Sequence, residues 1–564
     1  MNKRSTGFAG FLFIVLLLTA SCSGGRPAAD TVILNARVYT VDAARPWAEA
    51  VAVREGRILA VGTTKAVSRH KAPETLVIDA GGRLVLPGFM DSHIHFVSGS
   101  ASLAKVDLAG TRTVEEIQER IRAFARENPE ASWVQGRGWM YAAFPGDMPH
   151  KKFLDEVVPD RPAVMSCADG HTTWVNSRAL AVAGVGRDTK DPLNGTIVRD
   201  EAGEPTGALL EEAGALVSKH IPRQTDEQTL AALRRGLREA ARLGVVRAHG
   251  MGGEFEALDL LDRIRREGDL TVRLSVSMWV DPPGPAEKDW LAYEEARARY
   301  DDDWLSLGGI KLMLDGVIDS GTGAMLDPYE NQRGNRGKLF WEPEAFKRAV
   351  AAFNAKGLQV STHAIGDAAI RLSLDAYEEA ARAAGNPDVR NKIEHAEDIA
   401  AGDIPRFGRL GVLASFQPLH ANPDPTWMGT WIANVGPERE QRAFAWKAVL
   451  DGGARLAFGS DWPVVTLSPW PGLQVAVTRQ SLDGFPEGGW LPQHQVTLEE
   501  AVHAYTMGGA YAMRREKDEG SIEPGKLADL IMIDRNIFEI ASREIAKTEV
   551  LLTMVGGRVV HDAR

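Results

Sequence analysis

Cysteine is nearly missing from this chain: its 564 residues include only Cys22 and Cys167. No disulfide framework can be built on them beyond a single bridge. Cys167 sits in AVMSCADG, at what reads as a strand end, and is expected to be a buried structural thiol. Long basic runs are missing as well. Lysine and arginine number 65 against 76 aspartates and glutamates, a net charge of −11, which argues against nucleic acid as the main partner. Internal repeats and low-complexity segments are also lacking. What is present is ordinary for a folded soluble protein, with 44% hydrophobic and 25% charged residues. The length allows a large catalytic domain plus a smaller one.

One stretch near the N-terminus differs in kind. Lys3 and Arg4 precede FAGFLFIVLLLTA, which ends at Ser21-Cys22. This is a charged n-region and an apolar h-region of secretory type, too short and poorly flanked for a spanning helix. LLLTASC resembles a bacterial lipobox, although Thr19 stands where that signal has leucine and Leu18 lies one place further back. The resemblance implies that residues 1–21 are a lipoprotein-type signal peptide and that Cys22 bears lipid. The protein is then exported, periplasmic or membrane-anchored, and meets a membrane only through its lipid. Ser23 after the cysteine favours the outer membrane. An ordinary signal peptide cut near Ala20 is the alternative.

Beyond this leader the two ends share one texture. TVILNARVYTVD, AVAVREGRILAVG and TLVIDAGGRLVLPG alternate with period two around Gly turns, as do GKLADLIMIDRN and EVLLTMVGGRVVHD. Such patterns indicate antiparallel strands. Residues 30–85 and 520–564 are therefore expected to form one small β-sandwich, with residues 86–480 inserted between its halves. In that middle, eight short apolar runs alternate with helix-like stretches such as EQTLAALRRGLREAARLG, which suggests an α/β fold, a (β/α)8 barrel. The connection after the first run, about residues 99–243, is too long for a structureless loop and reads as an inserted subdomain.

The first run ends in PGFMDSHIHF, with His93 and His95 one residue apart. Side chains two apart on a strand share a face, so both imidazoles could hold one ion. An isolated pair is equally a surface strand with incidental histidines. The other runs decide the matter. GGIKLMLDG carries Lys311 in an apolar strand, STHAIGD ends in His363, IEHAE in His395 and GSDWP in Asp461. Each alone has a bland explanation: a hydrogen-bonded core histidine, a snorkelling lysine, a capping aspartate. Together they fall at the ends of strands one, four, five, six and eight, where barrel active sites are built. A lone buried lysine is costly and wants a partner or a lowered pKa.

In PGFMDSHIH, ADGHTTWVNSRAL, GGIKLMLDG, THAIGDAAI, IEHAED, FGSDWPV and GSIEPGKLADLIMID, taken in order, the chain resembles the amidohydrolase superfamily. The match is to the amidohydrolase-3 branch, which contains N-substituted formamide deformylases and AepA-like proteins. The resemblance implies a binuclear centre. His93, His95 and Asp461 bind one divalent ion, His363 and His395 a second, and a CO2-derived carbamate on Lys311 bridges them. Mixed nitrogen and oxygen ligands suit Zn2+ best. Metal-activated water attacks the substrate, and Asp461 moves the proton to the leaving nitrogen. His171 and His249 match recurring histidines of the branch, as substrate contacts or as structural residues. Asp169, Asp315 and Asp367 are expected to orient ligands or loops, and Glu394 to point to the opposite strand face from His395.

The expected activity is metal-dependent hydrolysis of a non-peptide carbon–nitrogen bond, amide or N-formyl, in a small molecule. Trp139, Trp174, Trp279, Trp427, Trp431 and Trp462 lie near the motifs, and some of them suit an apolar or aromatic substituent. The same site acting on an ester, lactone or amidine is a second reading. A surface lipoprotein that only binds a ligand is a third, with no use for Lys311 and Asp461 together. The oligomeric state stays open, a homodimer included.

Overall fold

The computed structural model describes residues 27–384 and 388–564; the expected signal peptide and Cys22 lie outside them. Both ends of the described chain build two facing sheets. One runs, in spatial order, Arg57–Gly62, Ala50–Arg54, Thr31–Leu34 and Leu76–Asp79. The other runs Arg558–Asp562, Val550–Val555, Leu530–Ile533, Leu84–Pro87, Arg37–Tyr39 and Trp47–Ala48. Alternate side chains such as Ile33, Val51, Val85, Leu530 and Leu552 are buried together in one cluster, the packing that period-two patterning dictates.

Eight parallel strands follow one another in chain order: β1 (Phe89–Ile94), β2 (Val245–Gly250), β3 (Arg273–Val280), β4 (Leu305–Met313), β5 (Gln359–Ala364), β6 (Lys392–His395), β7 (Leu413–Phe416) and β8 (Leu456–Phe458). β1 and β2 are buried along their whole length, as expected of parallel strands covered on both faces. The seam closes just beyond β8, where Asp461 N donates to His93 O at 2.8 Å and His95 N to Trp462 O at 2.9 Å. Gly459 is required there, because a Cβ would stand 2.6 Å from His93 N. At the opposite end Arg247 and Arg273, both buried, reach down from β2 and β3. They pair with Glu519 at 2.6 Å and Asp529 at 2.7 Å, tying the C-terminal segment to the barrel.

The insertion has its own mixed sheet, in spatial order Gly195–Arg199, Pro205–Glu211, Thr172–Val175, Ala163–Cys167, Val134–Trp139 and Val106–Asp107. It is narrower than the expected 99–243. The helix Asp226–Leu243 buries Leu230, Leu233 and Leu237 in the barrel's own core, so it belongs to the barrel's outer ring. Trp139 and Trp174 pack inside the insertion. It reaches the site through Met140 and Tyr141 and through the turn between Cys167 and Thr172, which carries Asp169 and His171. Among the described residues no helix is long and apolar enough to cross a membrane.

Candidate metal centre

The strand ends bring the expected ligands together at the barrel mouth. His93 Nε2 and His95 Nε2 lie 3.4 and 3.3 Å from Asp461 Oδ1. The rings of His93 and His395 are 4.8 Å apart between centroids, and those of His363 and His395 are 4.6 Å apart. Lys311 Nζ is buried, 3.4 Å from His93 Nε2. Among the described residues two groups have ligand atoms close enough to share an ion: His93, His95 and Asp461, and His395, His420 and Asp461.

Hydrogen bonding tests whether a cation fits. Asp461 Oδ1, His395 Nδ1 and His420 Nε2 are buried and have no hydrogen-bond partner among the described residues. Buried polar atoms left unpaired cost about 1–3 kcal/mol each. One divalent ion among them satisfies all three, so the donor set fits a metal.

Two of these residues are held in a backbone conformation that side chains usually avoid. His395 has φ 71° and Asp461 φ 58°. Such outliers cluster at functional sites, where the surrounding fold over-determines them. The bend at His395 also breaks strand alternation. Glu394 does not face away from the site as expected. Its Oε2 lies 2.8 Å from His93 Nδ1 and its Oε1 2.9 Å from Lys392 Nζ, all three side chains fully buried. Glu394 therefore fixes the ring of His93 from behind.

Burial shapes the charge of the site. It pushes the Lys311 ammonium down to about 8, against the opposing pull of Glu394 and Asp461. It also disfavours the Asp461 carboxylate, but the imidazoles of His93, His95 and His395 outweigh it and hold that carboxyl well below its ordinary range. Burial alone would lower His171 too. Instead Glu211, 2.8 Å from its Nδ1, raises it to about 9. Glu397 is pushed up to about 8 by burial first and then by the nearby Asp319.

His171 lines the cavity above the ligands. His249 does not. It is buried in the barrel interior with Nε2 2.9 Å from Ser277 Oγ, and it faces a separate pocket beside Ser275, Ser306 and Gln359. Asp315 ties the loops after β4 and β5 together, accepting from Ile365 N, Gly366 N and Ala324 N. Asp169 accepts from His171 N, and Asp367 from Leu326 N. Trp279, Trp427 and Trp431 line the cavity, whereas Trp462 packs edge-on against Phe96. His420 was not anticipated. Its one signal was its place in SFQPLH, a turn beyond the end of the seventh strand.

A (β/α)8 barrel with histidines, a lysine and an aspartate converging at the carboxyl ends of its strands defines a class of hydrolytic enzyme built around metal ligands. The comparisons narrow that class. A model described as amidohydrolase family matches residues 76–561. Protein LONG AFTER FAR-RED 3 of Arabidopsis thaliana is 32% identical over 541 residues, 94% of this chain and 92% of that protein. N-substituted formamide deformylase of Arthrobacter pascens is 30% identical over 540 residues, 94% and 97% of the two chains. The crystal structure of an uncharacterized metal-dependent hydrolase from Pyrococcus horikoshii OT3 superposes with a TM-score of 0.72 at 25% identity, covering 91% of this chain and 99% of that one. This chain belongs to the amidohydrolase family and is a hydrolase.

Proposed function

We propose that the protein is a metal-dependent hydrolase of a non-peptide carbon–nitrogen bond, amide or N-formyl, in a small molecule. The observation that carries this reading is the convergence of Asp461 with the imidazoles of His93, His95, His395 and His420. His93, His95 and Asp461 would hold one divalent ion, Zn2+ being the best match, and His363 and His395 a second, with carboxylated Lys311 between them. When bound, the metal supplies Lewis acidity and makes water a nucleophile near neutral pH.

The chain's own groups handle the protons. Asp461 takes one from the attacking water and returns it to the leaving nitrogen. His171, kept cationic by Glu211, donates from its second ring nitrogen to the carbonyl oxygen as negative charge develops there. His249, which faces a separate pocket, serves the barrel interior. Similarity to N-substituted formamide deformylase over nearly the whole chain supports an N-formyl or N-acyl amine, and Trp279, Trp427 and Trp431 favour an apolar or aromatic substituent. The order of residues 3–22 supports export with a lipid on Cys22.

Metal per chain and turnover on a panel of N-formyl and N-acyl amines, beside matched esters and lactones, test the reading. Cleavage of the amines that tracks metal content is expected. Cleavage of esters or lactones alone by the loaded protein would overturn the choice of bond.

A further inference from the structure

The cavity that opens on the metal ligands has a second end, and its chemistry is different. Asp169, Asp319 and Glu397 line it together with Trp427, Trp431 and Phe444. The charge of His171 reaches these carboxyl groups, but it does not pair with any of them. Asp398, next in sequence to Glu397, pairs with Arg442, and His171 is already matched by Glu211, but among the described residues none of these three carboxylates takes part in an ion pair. Arg137, which donates to Ala168 O, is near enough for its charge to reach Asp169.

Glu397 is the centre of this end. It is 7% exposed and rigidly held: Trp431 Nε1 donates to its Oε2 at 2.7 Å, and Phe444 N donates to its backbone carbonyl at 2.7 Å. Its Oε1 has no partner among the described residues, and neither has the buried Oδ2 of Asp169. The rings of Trp431 and Phe444 stand 5.8 Å apart beside it. A buried carboxyl group with no ion-pair partner, walled by aromatic faces, is matched by an organic cation, which stabilises its ionised form through a charge-assisted hydrogen bond while the rings add cation–π attraction. A hydrated metal ion has no use for such walls.

We propose that the Glu397 end of the cavity is a subsite for a positively charged nitrogen, an alkylammonium or similar group, on the substrate. The proposal deepens the hydrolase reading and rests on it for the word substrate. The molecule it describes is bipolar: its scissile carbonyl lies at Asp461 and its cation between Glu397, Asp169 and the aromatic walls. Apolar contact with Trp427 and Phe444 accounts for the stretch between them.

Binding, not turnover, tests this. Calorimetric titration of the full metal-loaded protein with 2-phenylethylammonium and with its neutral isostere 2-phenylethanol compares the two ends of the probe directly. The ammonium is expected to bind at least about 10-fold more tightly, the scale of one charge-assisted hydrogen bond. Glu397→Gln should abolish that preference with metal content unchanged, which separates the subsite from ligation of the amine to the metal. Asp319→Asn, a second variant in case Glu397→Gln fails to fold, should reduce the preference. Equal affinity for the two probes, no binding of the ammonium, or a preference that survives in folded Glu397→Gln overturns the proposal. Hydrolysis of neutral N-acyl amines without any ammonium preference would sink the subsite alone. An ammonium preference without hydrolysis would sink the hydrolase reading alone.

Discussion

Replacing Glu394 by Gln removes one charge from the interior of the barrel and little else. Glu394 lies between His93 Nδ1 at 2.8 Å and Lys392 Nζ at 2.9 Å, and Lys392 Nζ also donates to Ser92 O at 2.7 Å. All three side chains are fully buried, so the lost charge cannot be replaced by water. Breaking a buried pair by neutralising one partner costs about 3–5 kcal/mol, because the other charge is left uncompensated. Lys392 limits the cost by shedding its proton, since burial already lowers its pKa. A second effect is separate from the first. Gln can still meet His93, but without the negative charge that fixes its tautomer and orientation, and losses of that kind weaken metal affinity about 10–100-fold. Denaturant unfolding of the metal-free protein reads the first effect, and competition with a chelator reads the second. In the double variant Lys392→Met with Glu394→Gln, stability should recover while metal affinity stays low. Wild-type affinity in Glu394→Gln would refute the orienting role. Wild-type stability would refute the account of the buried charge.

Four further outcomes are expected. Asp461→Asn should fold and yet lose at least about 10²-fold in kcat, the scale of general acid–base work; near-normal turnover of the loaded variant removes Asp461 from catalysis. Lys311→Ala should lose metal and activity and regain part of both with a short-chain carboxylic acid, whereas Lys311→Met should not be rescued; full metal and turnover in Lys311→Ala would leave a mononuclear site. His171 is raised from its ordinary value to about 9, so in the folded enzyme its cation is essentially complete at neutral pH and is lost as pH rises through about 9. The pH–rate profile should fall there, and Glu211→Gln should move that limb to lower pH; an unmoved limb excludes His171. Cys22→Ala should release the protein from membranes without loss of activity, and equal fatty-acid labelling of both forms would exclude Cys22 as the lipid site.

The barrel and most of the polar residues gathered at its mouth were legible because they obey local rules. Strands buried on both faces read as short apolar runs, so a His, Lys or Asp at the end of such a run stands out. His93, His95, Lys311, His363, His395 and Asp461 were found that way, and the structure gathers them at one mouth. The residues that escaped break those rules. Glu394 and His395 are adjacent, and alternation assigns them to opposite faces. The positive φ at His395 turns the chain so that both approach His93. His420 follows its strand by a turn, Pro418–Ala421, whose direction no periodicity encodes.

Charge and partnership were beyond the sequence altogether. That His171 is cationic depends on Glu211, 40 residues away on another strand of the insertion. That Glu397 forms no ion pair among the described residues depends on which arginines reach it, and Arg442 reaches Asp398 instead. The sequence by itself determined the architecture and the kinds of ligand, because hydrophobic period and residue type act over a few neighbours. Which nitrogen meets which oxygen, which carboxylates are ionised and which His faces the cavity were decided only in the tertiary structure. Hydrogen bonds and burial depend on distances between segments hundreds of residues apart, such as the 301 residues that separate His93 from Glu394.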